Sequence, residues 1–308
     1  MSMKALFDVP APAKLNLFLH ITGQRADGYH LLQSVFMLID WCDTLHFECR
    51  SDSQVSRHDL TTALPADDLC LRAARLLQAE SATALGADIS IAKQVPWGAG
   101  MGGGSSDAAS TLLALNRLWG LHWPLSKLLP IGLKLGADVP FFLGGQNAWV
   151  EGIGEKLTAV HLPSRKFAVL KPATSLETRV VFGDSALVRN TPAATIEGFT
   201  EHSKAANHQG NRLLEFGRND LQPVAERHCA EVSQAAKTLH SVFGHSRMTG
   251  SGSAVFAEFG EKRGGRNFEL ENSAFLAAAA SLPSTWVTRM CSNLPQHPLA
   301  GWSTRPVS

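Results

Sequence analysis

Hydrophobic and polar positions alternate early in the chain. In Ala13-Lys14-Leu15-Asn16-Leu17-Phe18-Leu19-His20-Ile21, Leu15, Leu17, Leu19 and Ile21 share one face of a strand, and Lys14 and Asn16 share the other. Such a run is either an edge strand with a solvated polar face or a strand that carries a lysine and an amide to a common place. Residues 23–28 read as a turn, 31–39 as a second apolar run and 43–48 as another strand, while the polar stretch 51–64 predicts a hairpin. Apolar spacing turns helical over 69–79, with Asp67 or Asp68 as the cap. Alternation returns over 87–93, and helical spacing over 108–119 and 125–135.

The order of elements begins afresh at 167–171, a strand, followed by a partly helical stretch at 175–187. Residues 190–210 are rich in Thr, Ala, Asn and Gly and predict a loop. A helix is expected from 219 to 242, a glycine turn and strand over 248–259, a charged loop at 261–266, a helix over 268–280 and a last strand at 285–288. The proline-dotted tail after Asn293 is expected to be mobile. Interleaving of this kind predicts an α+β chain of two domains, 1–160 and 161–308, the second with a split βαβ arrangement.

Between the strand at 87–93 and the helix at 108–119 lies Val95-Pro96-Trp97-Gly98-Ala99-Gly100-Met101-Gly102-Gly103-Gly104-Ser105-Ser106-Asp107. Glycines allow positive φ and close approach to a ligand, and a helix start presents unpaired N–H groups and the positive end of a dipole. The loop therefore reads as an anion cradle, or as a flexible loop in which Ser105 or Ser106 caps a core helix. No lysine precedes the serines, so it is not a Walker loop. Further on, Gly136-Ala137-Asp138-Val139-Pro140-Phe141-Phe142 sets one carboxylate among apolar residues and glycines. Asp138 there either caps a helix entered at Pro140 or carries chemistry.

Composition narrows this only a little. A chain of 308 residues with 44% hydrophobic and 18% charged residues can bury a large core. A net charge of +1 offers no general surface for nucleic acid or membrane, so affinity for phosphates must be local. The five scattered cysteines lack Cys-x-x-Cys spacing and suit neither a disulfide framework nor a zinc site. With no leader and no span long enough for a bilayer, a cytoplasmic protein is expected.

Three stretches, Pro12-Ala13-Lys14-Leu15-Asn16-Leu17, the loop from Pro96 to Asp107, and Thr249-Gly250-Ser251-Gly252-Ser253, resemble in order the three motifs of the GHMP kinases. That superfamily takes in galactokinase, homoserine, mevalonate and phosphomevalonate kinases. Gly23-Gln24-Arg25-Ala26-Asp27-Gly28-Tyr29-His30, the run from Gly102 to Ala109 and Gly136-Ala137-Asp138-Val139-Pro140-Phe141-Phe142 resemble the branch that phosphorylates a cytidine-diphosphate-linked methylerythritol in the non-mevalonate isoprenoid pathway.

The resemblance implies an N-terminal ATP-binding domain like domain 2 of ribosomal protein S5 and a C-terminal ferredoxin-like α/β sandwich. It also implies transfer of the ATP γ-phosphoryl to the 2-hydroxyl of that substrate, with Mg2+ accompanying ATP. In roles carried over from the family, Asp138 accepts the hydroxyl proton and Lys14 is its electrostatic partner. Asn16, Tyr29, His30 and Phe182 serve the cytidine side, Tyr29 and Phe182 by stacking on the base. Pro96, Gly98, Gly100, Gly102, Gly103, Gly104, Ser105 and Ser106 hold ATP, with Lys93 near the adenine. The metal ligands stay unassigned, Ser106 being a candidate. Ala99 stands where the family has glycine, Met101 where leucine is common and Asp68 where an asparagine is usual, so Ala99 must keep a negative φ. Two other readings remain open: a GHMP kinase for another small alcohol, and a noncatalytic nucleotide-binding protein of the same fold.

Overall fold

The computed structural model describes residues 3–209, 212–260 and 268–303; the loop expected at 261–266 lies outside them. The first half contains β1 (Ala5–Gln24), β2 (His30–Arg50), β3 (Val55–Asp59), α1 (Leu69–Ser81), β4 (Gly86–Ala92), α2 (Gly103–Leu118), α3 (Leu125–Leu135), α4 (Val139–Gly144), β5 (Ala148–Glu151) and β6 (Lys156–Ala159). The second contains β7 (Lys166–Lys171), α5 (Thr178–Gly183), α6 (Ile196–Gln209), α7 (Gln222–His228), α8 (Ala230–Phe243), β8 (Arg247–Met248), β9 (Val255–Phe259), α9 (Phe268–Ala280) and β10 (Val287–Ser292).

The first six strands make one sheet in the order β3-β4-β2-β5-β6, with β1 paired along the other side of β2. β1 is thus an edge strand, which accommodates Pro10 and Pro12, residues without an N–H to donate. Four register shifts interrupt its pairing with β2, one of them between Asn16 and Leu19. Residues 55–59 run parallel to β4 and are not half of a hairpin. The backbone of Gln54 and Asp52 passes so near Gly86 that a Cβ there would meet it at 2.0 Å, which fixes this crossing.

Side-chain alternation assigns each face a partner. In β2, Phe36 and Leu38 face the helices α1 to α4, whereas Val35, Met37 and Ile39 face the second half of the chain. In β7, Phe167 and Val169 meet that same central layer, and Ala168 and Leu170 turn to α8 and α9. The second sheet is antiparallel with order β10-β7-β9-β8. Strands one to four of a βαββαβ unit, β7-α8-β8-β9-α9-β10, thus lie in the order 4-1-3-2, the ferredoxin-like sandwich. Both α+β units are as expected from the family resemblance.

Several local expectations change. Residues 196–209 form a helix where composition suggested a loop, because Phe199 and Ala206 bury themselves against Trp149 and the central layer. The helix expected from 219 to 242 breaks at Cys229, whose φ of −144° ends α7 and starts α8. The last strand lies at Val287–Ser292, a few residues beyond the expected one. The tail to Ser303 is docked: Leu294 donates its N–H to Leu38 O, His297 donates to Gly145 O, and Leu299 is buried beside α2 and α4.

The two halves are stitched through the free edge of β1. Leu19 donates to Arg218 O and accepts from the Asp220 N–H, Thr191 donates to Ile21 O, and the buried guanidinium of Arg247 donates to the carbonyls of Leu17, Leu214, Phe216 and Gly217. Burial lowers the Arg247 pKa to about 10, yet the group stays charged at neutral pH. Replacing it strands several buried carbonyls. Arg247→Met should cost about 3 kcal/mol, read as a lower urea midpoint with an unchanged slope.

Candidate active site

The glycine loop is held from two sides. Lys14 of β1 donates its N–H to Met101 O at 2.9 Å. From the second half, Ser253 and Ala254 donate theirs to Gly98 O and Ala99 O at 3.2 Å. Gly100 has a φ of +72°, and a Cβ on it would lie 2.3 Å from Thr249 O; Gly102 has a φ of +69°, and a Cβ there would press on Phe142 and on the Lys14 stem at 3.0–3.3 Å. Neither place admits a side chain. Ala99 is absent from the positive-φ residues, so alanine is accommodated between two left-handed glycines.

Gly102 is the N-cap of α2, and the first helical bond runs from Ser106 N–H to Gly102 O. Ser105 and Ser106 therefore sit inside the first turn and do not cap the helix. The N–H groups of Gly103, Gly104 and Ser105 have no helical acceptor and point out of the helix start. In front of them lies a cavity of about 440 Å³ lined by Pro96, Trp97, Gly98, Gly100, Gly102, Gly103, Gly104 and Ser105, with Lys93, Leu69 and, across the gap, Ser175 to Thr178. Every residue expected to hold ATP lines it except Ser106, which is fully buried with its Oγ unpartnered.

Beneath the loop lie the polar residues of β1. Lys14 and Asn16 are 3% and 1% exposed, so their face of the strand is buried and not solvated. The register shift after Asn16 also divides the expected leucine face: Leu15 and Leu17 keep to the side of Met37, while Leu19 and Ile21, paired with Ser34 and Leu32, fall on the side of Asn16 and Phe36. Lys14 Nζ donates to Asn16 Oδ1 at 2.5 Å, stands 3.7 Å from Asp138 Oδ2 and lies 4.5 Å from the Phe36 ring centroid. Asn16 donates its side-chain amide to Ser34 Oγ at 2.9 Å, and its backbone N–H to Thr249 Oγ1 at 3.0 Å. All three family motifs thus meet at Lys14 and Asn16.

Burial lowers the Lys14 pKa, and the neighbouring Asp138 carboxylate opposes that fall. Asp138 stands at the N-cap of α4, but its side chain makes no capping hydrogen bond and is 30% exposed. Its carboxylate faces the lysine instead of its own helix. An ammonium and an accessible carboxylate, fixed side by side at the edge of an anion cradle, can accept a hydroxyl proton and attract a transferring phosphoryl group.

Lys93 has different company. Its ammonium is shared by Asp43 and by Asp107, the latter at 2.6 Å, and Asp43 also accepts the N–H groups of Gln94 and Val95 at 2.6 and 2.8 Å. Burial works against the charge on Lys93, but the two carboxylates overcome it and raise its pKa. Burial pushes the Asp107 carboxyl well up, and its Oδ1 has no hydrogen-bond partner. Sequence reading did not single out Asp43 or Asp107 as partners of this lysine. Asp43 lies on β2 and Asp107 in α2, and no local pattern joins them. Asp68 caps α1 by accepting the Leu71 N–H and pairs with Arg57 at 2.8 Å.

A second cavity, about 610 Å³, is lined by Asp27, Gly28, Tyr29, His30, Leu32, Ile153, Thr178, Arg179 and Phe182. Tyr29, His30 and Phe182 are therefore brought together; Asn16 is not among them and stays with Lys14. Tyr29 is 60% exposed, on a turn closed by Arg25 N–H to Tyr29 O and Tyr29 N–H to Asp27 Oδ1. The rings of His30 and Phe182 stand 5.1 Å apart at 45°. Thr178 borders both cavities and meets Ser251 through a 2.8 Å hydroxyl contact.

Two family models match the chain: the GHMP kinases N terminal domain over residues 68–146 and the GHMP kinases C terminal over residues 198–278. A protein of Methylibium petroleiphilum named 4-diphosphocytidyl-2-C-methyl-D-erythritol kinase is 63% identical over 98% of this chain and 100% of its own length. One of the same name from Variovorax paradoxus is 60% identical over 98% of this chain and 100% of its own. A crystal structure of 4-(cytidine 5'-diphospho)-2C-methyl-D-erythritol kinase superposes with a TM-score of 0.74 at 30% identity, covering 93% of this chain and 98% of that one. With both domain models matched in order and near-full-length relatives of one name, the chain belongs to the GHMP kinases, in the branch of the 4-diphosphocytidyl-2-C-methyl-D-erythritol kinases.

Proposed function

We propose that the protein transfers the γ-phosphoryl group of ATP to the 2-hydroxyl of 4-diphosphocytidyl-2-C-methyl-D-erythritol. The observation that carries this reading is the Lys14–Asp138 pair at 3.7 Å, set under the glycine loop with an aromatic cavity close by. The loop cavity takes the triphosphate against the first-turn N–H groups of α2. The Tyr29–His30–Phe182 cavity takes the cytosine, whose flat ring suits aromatic neighbours. Thr178, which borders both cavities and meets Ser251, lies where the diphosphate-linked sugar alcohol would cross.

In the transfer, the 2-hydroxyl oxygen bonds to the γ-phosphorus, the bond from that phosphorus to the β,γ-bridging oxygen breaks, and ADP leaves. The hydroxyl proton passes to Asp138. Lys14, held by Asn16 and cushioned on Phe36, offsets charge on the transferring group. Such chemistry depends on positioning more than on covalent participation, which suits a site tied from three sides.

Magnesium fits this site as an ion carried on the phosphates. Among the described residues no three His, Cys, Asp or Glu side chains converge on a metal position, and Asp43 and Asp107 are engaged by Lys93. Mg2+ characteristically keeps phosphate and water ligands with one or two from protein. The unpartnered Ser106 Oγ is the protein oxygen that would turn to it, and the ion would supply neutralisation of phosphate charge. Five free thiols suit a reducing cytoplasm, and among the described residues no helix is long and apolar enough to cross a membrane.

A phosphorylation assay comparing this cytidine diphosphate substrate with mevalonate and homoserine tests the reading; preference for either small alcohol would overturn it. Asp138→Asn should lower kcat by about 10³-fold while leaving ATP binding within about twofold, measured by stopped assay and calorimetry. Turnover at the wild-type rate would remove Asp138 from its role. Tyr29→Ala should raise KM for the cytidine substrate about tenfold with little change for ATP, as expected for a lost stacking face.

A further inference from the structure

Arg189 lies in the stretch between α5 and α6, far in sequence from every motif. Its guanidinium donates through Nε to His30 Nε2 at 3.0 Å, through Nη1 to Leu187 O at 3.1 Å, and through Nη2 to Phe182 O at 3.0 Å and Asp184 O at 2.8 Å. A guanidinium has no acceptor and is always charged, so a ring nitrogen that takes its hydrogen bond must carry a lone pair. His30 Nε2 is therefore bare, and in the neutral ring the proton sits on Nδ1. The same guanidinium anchors the carbonyl of Phe182, whose ring is 5.1 Å from that of His30.

We infer that Arg189 is the positioning residue of the second cavity: it fixes His30 as an Nδ1–H donor and holds Phe182 beside it, so that the cavity selects a base with an acceptor edge. Cytosine offers acceptors at N3 and O2. Uracil carries a hydrogen at N3, and there a donor meets a donor. Discrimination between the two bases would arise from a residue that touches neither. Burial and then the facing Arg189 charge also lower the His30 pKa, in the same direction as the hydrogen bond from Arg189. The consequence for base selection rests on the cytidine reading above; the tautomer does not.

Long-range proton–nitrogen NMR of histidine-labelled full-length protein reads the ring state directly. Wild-type His30 should show protonated Nδ1 and bare Nε2 at neutral pH, and Arg189→Met should move the ring towards a mixture that includes Nε2–H. Wild-type protein should bind cytidine diphosphate at least tenfold more tightly than uridine diphosphate. In Arg189→Met that ratio should fall several-fold, with KM for ATP unchanged. A wild-type ring protonated on Nε2 overturns the inference, as does a variant with both spectrum and base preference unaltered. If Arg189→Met does not fold, the wild-type spectrum decides alone. If neither nucleoside diphosphate binds while the ring is protonated on Nδ1, the cytidine reading fails and the Arg189 assignment stands.

Discussion

The free edge of β1 is the constraint on which the structure depends. An edge strand carries a row of unpaired N–H and C=O groups that has to be covered. Here the cover is functional. Lys14 N–H takes the glycine loop through Met101 O, and Leu19 and Ile21 take the second half of the chain through Arg218, Asp220 and Thr191. One strand thereby sets the loop, the lysine and the opposite lobe in a common frame. Because side chains alternate along it, the residue whose backbone holds Met101 also sends its side chain under the loop. A one-residue slip of β1 would turn the Lys14 side chain to the opposite face of the sheet.

Two buried lysines flank the loop, and their surroundings divide their work. Lys93 is enclosed by Asp43 and Asp107, and its charge joins β2 to the N-terminal part of α2. Lys14 has one nearby carboxylate, 30% exposed, and a neutral amide. Its burial is only partly compensated, and its pKa falls. An incompletely neutralised cation next to an accessible carboxylate is a site prepared for an incoming anion. The Lys93 cluster is more nearly closed and makes a firm floor for the helix start.

The second cavity is assembled from elements that meet only in the fold. The turn before β2 brings Tyr29 and His30, α5 brings Arg179 and Phe182, and Arg189 follows from the segment beyond. Thr178, in contact with Ser251, borders both cavities from the second half, and in the loop cavity it shares the lining with Gly98 and Gly100 from the first half. The interface between halves is therefore the site itself, and the contacts at Arg247 and Asp220 that hold the halves together also hold the site.

Local chemistry was legible wherever it depends on spacing. The helix after the glycine loop, the strand before it, the Asp68 cap and the alternation of Lys14 to Leu17 follow from period and capping alone, because those interactions span a few residues, whereas the register shift that sends Leu19 and Ile21 to the other face belongs to the pairing with β2. The resemblance of three motifs in order carried the fold class and the family. Other features required tertiary contacts. Residues 196–209 looked like a loop by composition and are helical because Phe199 and Ala206 have a core to enter. That Lys93 shares its ammonium with Asp43 and Asp107 could not be read from residues so far apart in sequence. Lys14 and Asn16, on their own run, read first as a solvated edge, and burial under the glycine loop decided otherwise. Arg189 carried no signal at all, since its meaning lies in a nitrogen of His30, 159 positions away. The sequence by itself determined the glycine loop that opens a helix, the strand that carries the lysine and the family. The fold decided which charges are spent on each other and which remain for a substrate, because burial and partner distance are properties of packing and not of the chain.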